Sequence, residues 1–204
     1  MSGLSYKPNV AAVILAAGES VRMTGIKQLL PWKNTTLLGH VLGQLKETSA
    51  SGIYLVLGAH KEAILEKTDV SGMTLVQNED WQQGMGTSIS KCMNMIQKED
   101  GGYDGILIAV CDQPMLSVNH YKKLINSCID HDRIIASYYD SGFGVPAVFG
   151  RCYFDELSGL KKDAGAKSII KEHLRNLIRL DAPLGAIDID TEELYEKYHP
   201  THGH

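Results

Sequence analysis

The stretch V-A-A-V-I-L-A-A-G-E-S-V-R-M-T-G-I-K-Q-L-L-P, Val10 to Pro31, governs the reading of the whole chain. Its first part, Val10–Leu15, is apolar at every position. A strand with one wet face would alternate, so the run predicts a strand covered on both faces, as parallel strands are. Leu15, Ala16, Ala17 and Gly18 end it. Open α/β sheets bind ligands beyond the carboxyl ends of their strands, and small residues there let a ligand come close to the backbone. Arg22 and Lys27 add two cations to the same loop. Backbone amides with cations beside them suit a triphosphate; the plainer alternative is a solvated loop with incidental charges. Gly18, Gly25 and Lys27 do not have the G-x-x-x-x-G-K-[ST] spacing, and the loop is not G-x-G-x-x-G.

Outward from this segment, short Val/Ile/Leu runs alternate with stretches of helical period. Ile53–Leu57, Met73–Val76 and Gly105–Val110 read as strands, with Arg133–Ser137 and Pro146–Phe149 as further candidates. Leu37–Lys46, Glu62–Glu66, Thr87–Gln97 and Val118–Ile129 read as helices, the last with Ser117 as N-cap. The glycine-rich segment from Asp140 to Gly150 reads as a site rim or a hairpin. Strands separated by such helices predict βαβ units and a mainly parallel sheet, hence an α/β fold. No linker or repeat divides the chain. A single domain over 1–204 is expected, with its core at about 10–195 and flexible ends at 1–8 and 199–204.

The composition fits this class. At 204 residues and 22.4 kDa the chain can bury a core without staples. A net charge of -4 and a pI near 6.0 speak against a general nucleic-acid binder. Cys92, Cys111, Cys128 and Cys152 form no C-x-x-C pair and are expected as reduced thiols in a cytoplasmic protein. No apolar run approaches the ~20 residues that span a bilayer, and no secretory pattern is visible at the start, so no membrane association is expected. His40, His60, His120, His131 and His173 lack metal-ligand spacing.

Two more segments carry carboxylates. Cys111-Asp112-Gln113-Pro114 follows the buried run Gly105–Val110 directly, where a ligand crevice should open. Asp is a hard oxygen ligand suited to Mg²⁺, which is commonly held by one or two carboxylates plus substrate phosphates; an Asp that starts a turn before proline is the equal alternative. The second segment is Ala186-Ile-Asp188-Ile-Asp190-Thr191-Glu-Glu. In a strand, Asp188 and Asp190 would share a side, and one could be a second metal ligand. Asp190 or Thr191 could equally cap the last helix.

Together these segments resemble the MobA-like nucleotidyltransferases, and most closely the molybdenum cofactor cytidylyltransferases. The family pattern L-A-A-G-x-S-x-R-M-G-x-x-K-x-L-L-P is matched with Arg22 and Lys27 in register, although Thr24 stands where glycine is usual. The resemblance continues through Asn78, Trp81, Gly84 and Ser88, through Asp112-Gln113-Pro114, Gly144 to Phe149, and Asp188 to Thr191. It implies a Rossmann-like three-layer α/β/α sandwich of the nucleotide-diphospho-sugar transferase type. It implies Mg²⁺-dependent transfer of CMP from CTP to the terminal phosphate of a molybdopterin-type cofactor. Arg22 and Lys27 would grip the triphosphate, Leu15 to Gly18 would approach it, and Asn78, Gly84, Ser88, Gln113 and Pro114 would line the substrate site. Asp112 and Asp190 would hold the metal, with Asp188 the alternative. A molybdenum hydroxylase or its maturation chaperone would be the downstream partner. Competing readings are a sugar-phosphate acceptor, GTP as donor, and a non-catalytic cofactor carrier.

Overall fold

The computed structural model describes residues 6–99, 101–182 and 187–202. Strand β1 (Val10–Ala16) runs through the centre and is fully buried. A small antiparallel pair, β2 (Pro31–Trp32) and β3 (Thr35–Thr36), leads into α1 (Leu37–Lys46). Then come β4 (Gly52–Leu57), α2 (Lys61–Lys67), β5 (Thr74–Gln77), α3 (Met85–Glu99) and β6 (Gly105–Val110). The second half holds α4 (Val118–Asn126), β7 (Ile134–Tyr139), β8 (Gly142–Gly150), α5 (Phe154–Ser158), α6 (Ala166–Glu172), β9 (Leu177–Asp181) and α7 (Glu192–His202).

Seven strands form one sheet in the order β5-β4-β1-β6-β8-β7-β9. Strands β4 and β6 flank β1, both parallel to it, and β5 lies parallel outside β4. Only β8 is reversed: it is antiparallel to both β6 and β7. The chain thus leaves β1 toward one edge of the sheet and returns at β6 on the other side. That reversal of direction is where open α/β sheets make their crevice.

Alternate residues of β1 feed two cores. Ala11, Val13 and Leu15 pack with Ile89, Cys92 and Ile96 of α3 and with Ile169 and Ile170 of α6. Val10, Ala12 and Ile14 pack with Leu38, Val41 and Leu42 of α1 and with Tyr121 and Leu124 of α4. Helices therefore cover both faces, which is why β1 lacks polar alternation. A third, smaller cluster joins Trp32 and Leu37 to Ile189, Tyr195 and Tyr198.

Most expected elements agree to within a few residues, and the Asp140–Gly150 segment is the β7–β8 hairpin. Three expectations are corrected, and one open choice between two residues is decided. Residues 187–190 are not a strand: Ile189 N–H donates to Asp112 O at 2.8 Å and Asp190 N–H to Asp188 O at 2.9 Å, a tight local turn. Thr191, not Asp190, faces the start of α7, accepting from Leu194 N–H at its Oγ1. Helix α4 stops at Asn126, not Ile129. The expected flexible tail from His199 is in part helix, with the His199 ring stacked on Tyr195 at 4.9 Å. Ala186 and the extreme ends lie outside the described residues.

One buried group gives the fold a pH dependence. His120 is 8% exposed beside Ser137. Ser137 Oγ donates to Pro146 O at 2.6 Å, so it accepts from His120 Nε2–H at 2.8 Å. Burial, reinforced by the charge of Lys123, pushes the imidazole down to about 4. In the unfolded chain it titrates near the ordinary ~6.5. Between these values the unfolded state binds more protons, so stability is lost as pH falls from about 6.5 to 4. His120→Gln keeps a donor for Ser137 but removes the titration. It is expected to recover about 1–3 kcal/mol of the stability difference between pH 7 and 4.5, read from urea midpoints. His40, also shifted down by burial, leaves a residual slope. An unchanged pH difference in the variant would refute this account.

Candidate active site

The crevice beyond β1 and β6 has a volume of about 550 Å³ and is lined by Leu15 to Met23, Lys27, Trp81, Gly84, Met85, Ser88, Asp112 and Asp190, among others. Its floor is built by close approach. A Cβ on Gly58 would stand 2.6 Å from Ala17 O and 2.8 Å from Trp81 Cβ, so only glycine lets β4 end beneath the β1 loop. The far wall needs another glycine. Gly84 has φ +108°, which disfavours other residues, and turns the chain into α3 against the Lys162 carbonyl.

Four charged groups meet at the mouth. Lys27 Nζ lies 2.7 Å from Asp112 Oδ2 and 2.7 Å from Asp190 Oδ1. Arg22 holds the other Asp190 oxygen at 2.8 Å. Exposure falls inward, from 68% for the Arg22 side chain to 15% for Lys27. Burial alone would lower the Lys27 pKa, but the charge of Asp112 and hydrogen bonds to both carboxylates override it and hold the ammonium above its ordinary range. Burial pushes Asp190 the other way, yet its bond to Lys27 and the charges of Lys27 and Arg22 keep its carboxyl below the usual carboxylate value. The cluster is therefore two cations against two anions near neutral pH.

This balance makes the site able to change partners. The two carboxylates converge on one cation, and Asp112 Oδ1 is buried with no hydrogen-bond partner among the described residues. An unsatisfied buried carboxylate oxygen beside a second carboxylate is the hard donor set a divalent cation prefers. The residues present fit such an ion. Cys111, next to Asp112, is pushed up to about 12 by burial and is no nucleophile near neutral pH.

Of the residues singled out in the sequence, Leu15, Ala16, Ala17, Gly18, Arg22, Lys27, Gly84, Ser88, Asp112 and Asp190 share this crevice. Three do not line it. Asn78 is 1% exposed; its Nδ2 donates to Thr87 Oγ1 and Ser88 Oγ at 2.9 Å each, tying β5 to α3. Gln113 lies behind Asp112 and donates to Asp188 Oδ1 at 2.9 Å. Pro114 accepts at its carbonyl from His40 Nε2 at 3.1 Å. Asp188 therefore faces Gln113 while Asp190 faces Lys27. Burial and the nearby charge of Asp112 raise the Asp188 pKa. Sequence reading missed Met85, 47% exposed on the rim, and the buried Gln28 beneath the loop.

Comparison with known proteins identifies the family. Residues 12–177 match the model of the MobA-like NTP transferase domain. The matched range holds Arg22, Lys27 and Asp112 and ends before Asp190. The chain is 30% identical to nicotine blue oxidoreductase of Paenarthrobacter nicotinovorans, over 92% of this chain and 96% of that one. It is also 30% identical to the purine catabolism protein PucB of Bacillus subtilis, over 93% and 95%. The crystal structure of Rv0371c of Mycobacterium tuberculosis in complex with manganese superimposes with a TM-score of 0.74 at 26% identity, over 95% of this chain and 99% of that one. A match across four fifths of the chain, a stretch that includes Arg22, Lys27 and Asp112, makes the protein a nucleotidyltransferase and a member of the MobA-like NTP transferase family.

Proposed function

We propose that the protein transfers CMP from CTP to the terminal phosphate of a molybdopterin-type cofactor with Mg²⁺, releasing pyrophosphate. The observation that carries this reading is the meeting of Lys27 and Arg22 with Asp112 and Asp190 beyond β1 and β6. Two polyanions must be brought together there, and no covalent nucleophile is required. An oxygen of the acceptor phosphate attacks the α-phosphorus in line. The bond to the bridging oxygen breaks, and its electron pair leaves with pyrophosphate.

Arg22 and Lys27 would neutralise triphosphate oxygens as charge builds on them. Asp112 and Asp190 would hold the divalent ion. When bound, that ion would supply positive charge to offset the charge of the phosphates. For the cations to reach phosphate they must leave the carboxylates they now pair with. Trp81 and Met85 on the rim offer apolar surface to a planar ring. A cytoplasmic location and delivery of the product to a molybdenum hydroxylase or its chaperone belong to the same proposal. Among the described residues, no helix is long and apolar enough to cross a membrane.

Cytosine is proposed over guanine because Ala17 keeps a methyl where guanylyl-transferring relatives would carry a second glycine. That methyl lies over Gly58 beside Trp81 and takes up room on the wall. One methyl discriminates by only ~1–3 kcal/mol. The test is pyrophosphate release from each of the four NTPs with Mg²⁺ and molybdopterin-type or sugar-phosphate acceptors. CTP is expected to exceed GTP in kcat/KM by roughly tenfold or more. A ratio at or below one rejects the cytidylyl reading. The likeness to a protein named as an oxidoreductase favours a second reading, hydride transfer in the same crevice, which would require a redox cofactor. NAD(P)H consumption without pyrophosphate release would select it.

A further inference from the structure

Gln28 lies beneath the β1 loop, 2% exposed, on the 3-10 turn Lys27–Leu29. A buried amide is costly unless its polar atoms are paired. Here Nε2 donates to Ala16 O at 3.2 Å and to Gly18 O at 2.8 Å, while Oε1 accepts from Ser20 Oγ–H at 3.0 Å. Ser20 Oγ in turn accepts from Lys27 N–H at 3.1 Å. Ser20 sits at φ +64°, a conformation that non-glycine residues seldom adopt and that these bonds hold in place.

The trans peptide makes this arrangement consequential. C=O and N–H of one peptide unit point in opposite directions. With the carbonyls of Ala16 and Gly18 turned onto Gln28, the N–H groups of Ala17 and Glu19 point away from it. Among the described residues, the N–H groups of Gly18, Glu19, Ser20 and Val21 make no hydrogen bond. All four residues line the crevice, next to Arg22 and Lys27. Consecutive free amides beside cations form an anion-binding concavity.

We propose that Gln28 is the positioning residue of the nucleotide loop. It pulls two carbonyls inward so that the amides between Ala17 and Val21 are presented to the triphosphate. Through Ser20 it also fixes the start of the turn that carries Lys27. Its effect on the ligand passes through the backbone it holds. The inference rests on the triphosphate reading given above and adds the side chain that shapes the loop.

The test is calorimetric titration of the full-length protein, with Mg²⁺, against CTP, inorganic tripolyphosphate and cytidine, alongside turnover. Gln28→Met keeps the volume and removes every hydrogen bond. It is expected to weaken CTP and tripolyphosphate by the same factor, about tenfold or more, because the amides hold phosphate oxygens. Cytidine affinity and kcat at saturating CTP should change far less, and KM should carry the loss. Ser20→Ala should weaken tripolyphosphate about threefold by releasing one link. Wild-type tripolyphosphate affinity in both variants overturns the proposal. If Gln28→Met does not fold, Ser20→Ala decides alone, with unchanged affinity again fatal. A purely structural role would lower the thermal midpoint and affect all three ligands alike, which also overturns it. Failure of the wild-type protein to bind either CTP or tripolyphosphate would instead remove the triphosphate reading itself.

Discussion

Lys27→Ala is expected to lower kcat/KM roughly 100- to 1,000-fold, the loss of about 3–4 kcal/mol of transition-state stabilisation. Lys27 is the inner cation of the cluster and lies 2.7 Å from both carboxylates. Its charge is secure at any working pH, because Asp112 and Asp190 outweigh the effect of burial. The same contacts carry a structural cost in the variant. Removing the ammonium leaves Asp112 unpaired opposite Asp190, which keeps only Arg22, and this should destabilise the fold by about 1–3 kcal/mol. Activity must therefore be measured well below the thermal midpoint, with circular dichroism showing a folded protein. Lys27→Arg should not restore the rate, since a planar fork cannot occupy the single point on which both carboxylates converge. A folded Lys27→Ala protein with wild-type turnover at saturating CTP would take Lys27 out of the chemistry.

The inner strands of the sheet were readable because they are buried on both faces. Val10–Leu15 and Gly105–Val110 are unbroken apolar runs, and the strands follow them almost residue for residue. Helix α1 was equally plain, with Leu37, Leu38, Val41, Leu42 and Leu45 on one buried side. The short elements were not legible. Helix α6 has no side-chain cap, and β9 is an edge strand whose residues are all at least partly exposed, so neither has a strong period. The I-D-I-D alternation imitated a strand, but the backbone of 187–190 bonds to Asp112 and to itself, with Ile189 anchored in the Trp32 cluster. That anchoring is what brings Asp190 across the crevice to Lys27.

The site divided along a similar line. The charged residues that meet in the crevice were recognisable from their place after a strand. Residues that hold those charges in position were not. Asn78, Gln113 and Pro114 matched the pattern, yet each makes a hydrogen bond to the scaffold. Gln28 carries no sequence signal of its own, and only its three bonds show the loop closing on it. Sequence pattern marks that a position matters and is silent on whether the side chain faces ligand or protein.

Asp112→Asn is expected to reduce Mg²⁺-dependent turnover by a factor of about 1,000 or more, and Asp190→Asn by only about 10- to 100-fold. The two carboxylates look equivalent from Lys27, but their settings differ. Asp112 follows β6 directly, so a fixed sheet holds it, and its Oδ1 is buried without a partner among the described residues. Nothing else can replace that oxygen. Asp190 belongs to an irregular segment, its side chain is 26% exposed, and Arg22 grips its outer oxygen. Water or a neighbouring oxygen can substitute there at smaller cost. Asn is isosteric, so neither variant opens a cavity, and both should fold. Manganese binding followed by electron paramagnetic resonance separates metal from chemistry: Asp112→Asn should weaken it strongly, Asp190→Asn less. Should Asp190→Asn prove the more damaging of the two in both measurements, the ion would have to be anchored from the 187–190 segment, and Asp112 would keep only its bond to Lys27.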